Sequence, residues 1–464
     1  MTLDLTVDAV PGQPALILGN YDLPALGYDV GEYFVGGAAT AYAAQSPVGA
    51  DGRWDIAPAD TAAFTTRVVT VTPADPGAFN GTVLVEWLNV SGGIDAPAAW
   101  MMAHREIIRA GYAYLAVSAQ RVGVEGGASL TGLDVSLKAQ NPARYAPLQH
   151  PGDAYSFDIF GLIGRLVRER PASLGLPAGP GPLLALGESQ SAMFLTTYIN
   201  AVDPLDTVYD GFLVHSRFGS AAHIDGSPIL ATGGVLTPFR PDLRVPVVNV
   251  ITESDLIDGL LPGYHQTRRP DDALLRTWEI AGAAHADNYT IVGSWIDDGR
   301  LPVADLAAAY APVDVLMGAH LDHFINFAPQ HHYVLQAALA GLHDWVRDGR
   351  PIPSAPTLQL SGDRLATDAH GIATGGLRTP WVDVPVAVTT GQVGTESEMS
   401  FIFGAGKPFD ANELRRLYPG GQAEYLRRFE VALDAAIGAG HLRPADRTEI
   451  LEIAALIFAS AGVV

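Results

Sequence analysis

The sequence predicts an α/β protein with a mostly parallel central sheet flanked by helices, and three observations carry that prediction. From Thr82 onward, continuous apolar runs of strand length alternate with helical segments. Strands buried on both faces read as unbroken apolar runs, and parallel neighbours need crossover helices between them. Apolar residues make up 48% of the chain and charged ones 17%, with 50 glycines and 33 prolines. Such a composition describes a loop-rich globular protein and leaves no case for disorder. At 464 residues the chain can bury a large core, in two or three domains or as one α/β unit with insertions.

The core strands are expected at 82–88, 113–118, 182–186, 211–215 and 246–252, with a sixth at 277–281. Helical spacing marks 96–110, 155–169, 189–202 and 330–347. The first seventy residues, rich in Gly, Ala, Tyr and Asp, carry short apolar runs at 15–18 and 66–71 bounded by turn residues, and read as edge strands and hairpins. Residues 217–242 and 286–329 lack clear periodicity and leave the sheet beside strand ends, as lids and binding loops do. The expected division is an α/β body over 1–395, with those two inserts as lid or pocket loops, and a C-terminal helical segment over 396–464 packed on the same domain.

Charge and composition exclude several functions. Acidic residues outnumber basic ones 50 to 28, for a net charge of −22, which repels phosphate backbones and anionic lipid. The densest basic clusters, Arg165, Arg168 and Arg170, then Arg268 and Arg269, read as solvated helix ends or loops, so neither nucleic acid nor membrane is an expected partner. Absence of cysteine removes disulfides, thiolate metal sites and a cysteine nucleophile. The first residues lack a secretory signal pattern and no apolar stretch reaches the roughly 18 residues of a bilayer span, so the expected location is cytoplasmic.

The chemistry-bearing motif is Leu183-Leu184-Ala185-Leu186-Gly187-Glu188-Ser189-Gln190-Ser191, an apolar strand running through a Gly-x-Ser-x-Ser turn into a helix. This is the pattern of a nucleophile elbow, the strained strand-to-helix turn that presents a serine hydroxyl at the top of an α/β-hydrolase sheet. Small residues two before and two after the serine are needed because the two backbones approach closely. Gly187 meets that need, and Ser191 stands where a second glycine is usual, its hydroxyl able to bond back to the helix. The helix start also aims the Gln190 N–H at the site as an oxyanion donor.

A serine hydroxyl needs a base to take its proton and a carboxylate to orient that base, and in this fold the chain order is serine, acid, histidine. The strand at 246–252 ends in Glu253-Ser254-Asp255, and the strand at 277–281 leads to Gly282-Ala283-Ala284-His285-Ala286-Asp287. His285 is therefore the base. Asp255, at the third position past its strand, is the favoured acid and Glu253 the alternative, with Asp258 trailing as a loop charge. The second oxyanion donor is expected from the loop after a strand two away from the elbow in sheet order, here Trp87 to Gly93. Its Val90 N–H is the candidate, and Asn89 and Ser91 are near alternatives and possible substrate contacts. His215, closing the strand after the elbow helix, points to the same rim as a further possible substrate contact. His320, His323, His331 and His332 read as hydrogen-bonded histidines, since no carboxylate cluster has metal-site spacing, and neither metal nor cofactor is expected.

Those residues resemble a known group. Glu86 to Gly93, Gly187 to Ser191, Ala281 to Asp287 and Gly375-Gly376-Leu377-Arg378-Thr379-Pro380-Trp381-Val382-Asp383-Val384-Pro385 are similar to bacterial α/β-hydrolase domain proteins, over most of the chain. The resemblance implies that Ser191 is the family's own form of the elbow, that the segment after residue 351 packs on the hydrolase body, and that Ser189, Asp255 and His285 form a triad. Members are mostly esterases of undetermined specificity. The expected activity is hydrolysis of a small-molecule carboxylic ester or lactone through an acyl-enzyme. Acyl transfer, carbon–carbon bond cleavage by the same triad, and a non-catalytic binding role are the alternatives.

Overall fold

In the computed structural model, which describes residues 3–177, 179, 181–316, 318–393 and 398–461, the apolar runs become the middle of a nine-stranded sheet. Its strands are β1 (Thr6–Ala9), β2 (Tyr28–Ala44), β3 (Ile56–Pro73), β4 (Val83–Trp87), β5 (Ala113–Val117), β6 (Leu183–Glu188), β7 (Gly211–His215), β8 (Val247–Ile251) and β9 (Leu275–Glu279). They lie in the order β1-β2-β3-β5-β4-β6-β7-β8-β9. From β5 to β9 every pairing is parallel, and the β1-β2-β3 edge joins β5 antiparallel.

Alternation along each buried strand separates two packing layers. Val85, Ala185, Val214 and Ile251 face one core, filled by α2 (Ser156–Glu169) and α3 (Gln190–Thr197). Leu84, Leu186, Leu213 and Val250 face the other, filled by α1 (Ala98–Arg109) and α4 (Gln330–Asp348). Pro97 precedes α1 without a side-chain cap. The buried Glu86 supplies one from β4, accepting from the Ala99 N–H at 2.8 Å and the Trp100 N–H at 3.0 Å, so two otherwise orphaned helix donors are satisfied inside the core. The helix expected over 189–202 is present and runs past it, widening to a π turn at Tyr198–Val202 and continuing to Asp206.

At the N-terminal edge one expected run departs from the structure and the other forms the strand read from it. Residues 15–18 form no strand, because side chains take up their backbone groups: Ala15 O accepts from Arg67, Ala15 N donates to the Tyr145 hydroxyl, and Leu18 O accepts from the Trp100 indole. The run at 66–71 is one end of the 18-residue strand β3, paired along its length with β2.

Three further helices close the chain: α5 (Ala411–Leu417), α6 (Gly421–Gly438) and α7 (Arg447–Ser460). Leu414, Tyr418, Tyr425, Phe429, Ile450 and Phe458 join the same core as α1 and α4. The ion pairs Arg105–Glu449 and Arg109–Asp446 tie α1 to α7 and the turn before it.

Candidate active site

The turn after β6 is built around one strained residue. Ser189 has φ 57° and ψ −119°, a conformation that costs on the order of 1–3 kcal/mol and persists only where its surroundings hold it. Two neighbours do so. A Cβ added at Gly187 would sit 3.0 Å from the Ser191 carbonyl oxygen, so a side chain there would push strand and helix apart and glycine lets them approach without strain. The buried Ser191 hydroxyl accepts from the Glu188 N–H at 2.9 Å and donates to the Glu188 carbonyl at 2.8 Å. Its hydroxyl thus bonds to the strand end rather than the helix, which is the use a serine has at the position of the second glycine.

The strand β8 runs into a one-turn helix, Glu253–Leu256, whose N-terminus is closed by a capping box. Asp255 Oδ2 accepts from the Thr252 N–H at 2.8 Å and the Thr252 hydroxyl at 2.7 Å, leaving Oδ1 to face His285 Nδ1 at 2.5 Å. With Nδ1–H committed to that carboxylate, Nε2 is the free basic nitrogen. Glu253 faces elsewhere: it accepts from Gly282 N at 2.6 Å, Thr390 Oγ1 at 2.7 Å and Gly391 N at 2.9 Å, holding two loops together. Asp258 accepts from Gly263 N and the Gln266 amide at the surface. Of the three acidic candidates, the structure brings Asp255 to the imidazole.

A second carboxylate approaches the other side of that ring. Glu188 Oε1 lies 3.6 Å from His285 Nε2, while Asn89 Nδ2 donates to the Glu188 carbonyl and carboxylate. Burial opposes charging of His285, but Asp255 and Glu188 outweigh it and raise its affinity for a proton. Burial pushes Glu188 up to about 6, countered in part by His285. Burial likewise raises Glu253 to about 7 against the bonds it accepts. The Phe218 ring stacks on His285 with centroids 5.4 Å apart.

Ser189 opens into a cavity of about 300 Å³ whose walls are largely apolar and include Val90, Met193, Phe194, Phe218, Ile229 and Leu261. Gln190 and Ser91 line it too. The Val90 N–H faces the Gln190 Oε1 at 3.4 Å, so an amide oxygen stands in front of one of the two expected oxyanion donors. The other, the Gln190 N–H, is at the first turn of α3, where no intrahelical acceptor exists. β4, expected two strands from the elbow, is the immediate neighbour of β6, with Trp87 opposite Gly187; β5 has inserted on its far side.

Other expected contacts lie elsewhere. His215 is a correction: it belongs to the layer facing α4, where its Nε2 pairs with His331 Nε2 at 2.8 Å, and it does not line the cavity. Strand alternation decides this, since Val214, and not His215, faces the side on which the cavity opens. Asn89 is buried with its amide oxygen bonded to the Ser91 N–H and hydroxyl, and it too is absent from the cavity wall. Gly226, Pro228 and Ile229 of the first insert line the cavity, whereas no described residue of 286–329 does. That stretch packs Tyr289, Leu306 and Tyr310 into the core with α1 and α4. The segments 120–130 and 260–261 contribute wall residues instead.

His332 is bonded to the Tyr310 hydroxyl and Gln336, His323 to Asp322, and His320 is exposed. Among the described residues no three His, Asp or Glu side chains are grouped to hold a metal ion. Glu188 and Phe218 escaped the sequence reading. The signal for Glu188 was a carboxylate ending a buried strand beside the serine; Phe218 left none.

A model of the alpha/beta hydrolase domain family matches residues 5–452. No curated protein matches the chain. Among solved structures, an esterase from Pyrococcus furiosus is 8% identical with a TM-score of 0.30, covering 59% of this chain and 88% of its own. A cold-adapted esterase from an Arctic intertidal metagenomic library is 15% identical with a TM-score of 0.29, covering 54% and 85%. A fungal esterase from Rhizomucor miehei is 15% identical with a TM-score of 0.28, covering 68% and 85%. These likenesses are too distant to bear on activity, and the family match rests on the sequence itself. Spanning nearly the whole chain, that match makes the protein a member of the alpha/beta hydrolase domain family.

Proposed function

We propose that the protein is a serine hydrolase that cleaves a carboxylic ester or lactone through an acyl-enzyme on Ser189. The observation that carries this reading is the strained Ser189 in the wall of an apolar cavity, next in the chain to Glu188, whose carboxylate lies 3.6 Å from the Nε2 of a histidine held at Nδ1 by Asp255 at 2.5 Å. Ser189 Oγ attacks the acyl carbon as its proton passes to His285 Nε2, and the resulting oxyanion accepts from the N–H groups of Gln190 and Val90. Collapse expels the alcohol, which takes the proton from Nε2. Water, deprotonated by the same nitrogen, then attacks the acyl carbon and releases the acid and Ser189. Asp255 fixes the tautomer and balances the imidazolium. A substrate carbonyl must replace the Gln190 side-chain oxygen at the Val90 N–H.

The test is covalent labelling by a fluorophosphonate together with hydrolysis of p-nitrophenyl esters of graded chain length. Ser189→Ala removes little buried volume and is expected to fold normally, with labelling lost and turnover reduced by a factor of about 10⁴ or more. Labelling that persists in the folded variant would refute the assignment.

A further inference from the structure

Gln120 stands out among the residues lining the cavity. It follows β5 by three positions, is 1% exposed, and shares the wall with Ser189. Its amide orientation is fixed by chemistry: the Trp87 indole N–H, which can only donate, meets Gln120 Oε1 at 3.1 Å. The NH₂ group must therefore face the other way. Trp87 itself cannot turn, because its ring is wedged between Phe157, Phe160 and Phe194 at centroid distances of 5.7, 4.8 and 5.4 Å. Gln120 Nε2 has no acceptor among the described residues. Since Nε2 is not among the atoms sealed from solvent without a partner, it is reachable at the cavity wall, and a substrate that covers it with a methylene strands the donor at the cost of a lost hydrogen bond, whereas a ligand oxygen completes it.

We propose that Gln120 is a specificity-determining residue whose Nε2 donates to an additional neutral oxygen, ether, keto or hydroxyl, on an otherwise apolar acyl or alcohol chain of the substrate. The inference rests on the reading of Ser189 as nucleophile. Neutrality follows from the donor. A carboxylate buried against an uncharged amide would keep most of its desolvation cost, and an apolar wall offers nothing to offset it. The charged groups at this cavity are Asp153, which already accepts from the Arg121 N–H, and the exposed Arg121 side chain. A site reading an oxygen by hydrogen bond discriminates against the methylene analogue because its own donor is then stranded.

The experiment compares kcat/KM for hexanoate-length p-nitrophenyl esters in which the third, fourth or fifth chain position is CH₂ or oxygen, each corrected for its rate with hydroxide. A parallel series of acetate esters varies the alcohol chain in the same way. The expected result is that one oxygen position is favoured over its methylene parent by about three- to tenfold. In Gln120→Glu, assayed at alkaline pH so that the buried carboxyl is ionised, an acceptor for the Trp87 N–H is kept and no donor is presented, and that preference falls to one or reverses. Gln120→Leu loses it as well, and because each variant is read as a ratio between two esters, partial misfolding does not mimic the result. A flat ratio in the wild type, a preference that survives in Gln120→Glu, or a larger gain from a terminal carboxylate abolished by Arg121→Ala would each overturn the inference while leaving Ser189 hydrolysis intact. Failure to turn over any ester, with no fluorophosphonate labelling, would remove the Ser189 reading and this one with it.

Discussion

Two carboxylates two residues apart, Glu253 and Asp255, end up with opposite duties, and the difference can be measured. Asp255 splits its oxygens between the Thr252 cap and His285. Asp255→Asn keeps the shape but presents the wrong partner to Nδ1, and is expected to lower kcat about 10⁴-fold in a folded protein. Glu253 accepts three hydrogen bonds from loops. An amide there offers only one acceptor oxygen, so Glu253→Gln is expected to lower stability by about 1–3 kcal/mol in a thermal melt, while the folded fraction keeps its kcat. The reverse pattern would exchange their roles. Glu188 adds a pH prediction. Above about pH 6, where it is ionised, its charge helps hold a proton on His285. That proton must leave before the imidazole can act as base. Glu188→Gln removes the charge, so the acid limb of kcat/KM is expected to move to lower pH, and the plateau to fall because the imidazolium formed on attack loses a partner. A uniform loss with an unmoved acid limb would mean that Glu188 only shapes the turn. Ser189, His285 and the Asp255 or Glu253 choice were legible from motif and chain order. Position past the strand favoured Asp255, but a one-turn helix rotates successive side chains by about 100°, and the folded cap is what shows Asp255 facing the ring.

Elements were legible in proportion to how completely they are buried. β4, β5, β7 and β8 are buried at every position, so each reads as a mostly apolar run, broken only by Glu86 in β4, His215 at the end of β7 and Asn249 in β8. β2 mixes buried and exposed positions with Gly, Ala and Thr among them, and β3 is largely exposed over its first half and buried throughout its last eight residues, so neither shows a clean period-two signal. Irregular segments carried no sign of which side of the sheet they would cover, hence the different fates of the two inserts. The first is pinned at its base by the buried Arg217, which donates to the carbonyls of Phe218, Gly219 and Thr237, and it delivers Ile229 to the cavity. Ile229→Ala is expected to shift the preferred ester toward a longer or bulkier chain, raising the ratio of kcat/KM for long over short esters by about fivefold, since each methylene newly accommodated is worth about 0.8 kcal/mol. Shortening the loop around residues 318–321 is expected to leave that ratio unchanged. A changed ratio in the second case and none in the first would assign the chain-length pocket to the other insert.

At the scale of the whole molecule, the C-terminal helices decide whether the chain can be divided. A helical segment beyond residue 396 was expected to pack on the body, and the side chains of α5, α6 and α7 share one continuous core with α1, α4 and the α1-facing side of the sheet. Leu414, Tyr425, Phe429, Leu433, Ile450 and Phe458 are each at most 1% exposed. Burying a large apolar side chain contributes about 1.5–3 kcal/mol, so these six together are comparable to the entire stability of a typical domain, about 5–15 kcal/mol. Trp381, which packs edge-on against Phe429 at 5.5 Å and face-on against Tyr333 of α4 at 5.8 Å, would be uncovered at the same time. A chain ending at residue 410 is therefore expected to be insoluble or molten, binding an apolar dye and showing no cooperative melt, even though Ser189, Asp255, His285 and every residue lining the cavity are retained. The single substitution Phe429→Ala probes the same contact more gently. It should cost about 3–5 kcal/mol in denaturant unfolding, with one transition and kcat unchanged in the folded protein. If the truncated chain instead melts cooperatively and still labels at Ser189, the helices form a separable unit and the shared core is not what holds the hydrolase body together.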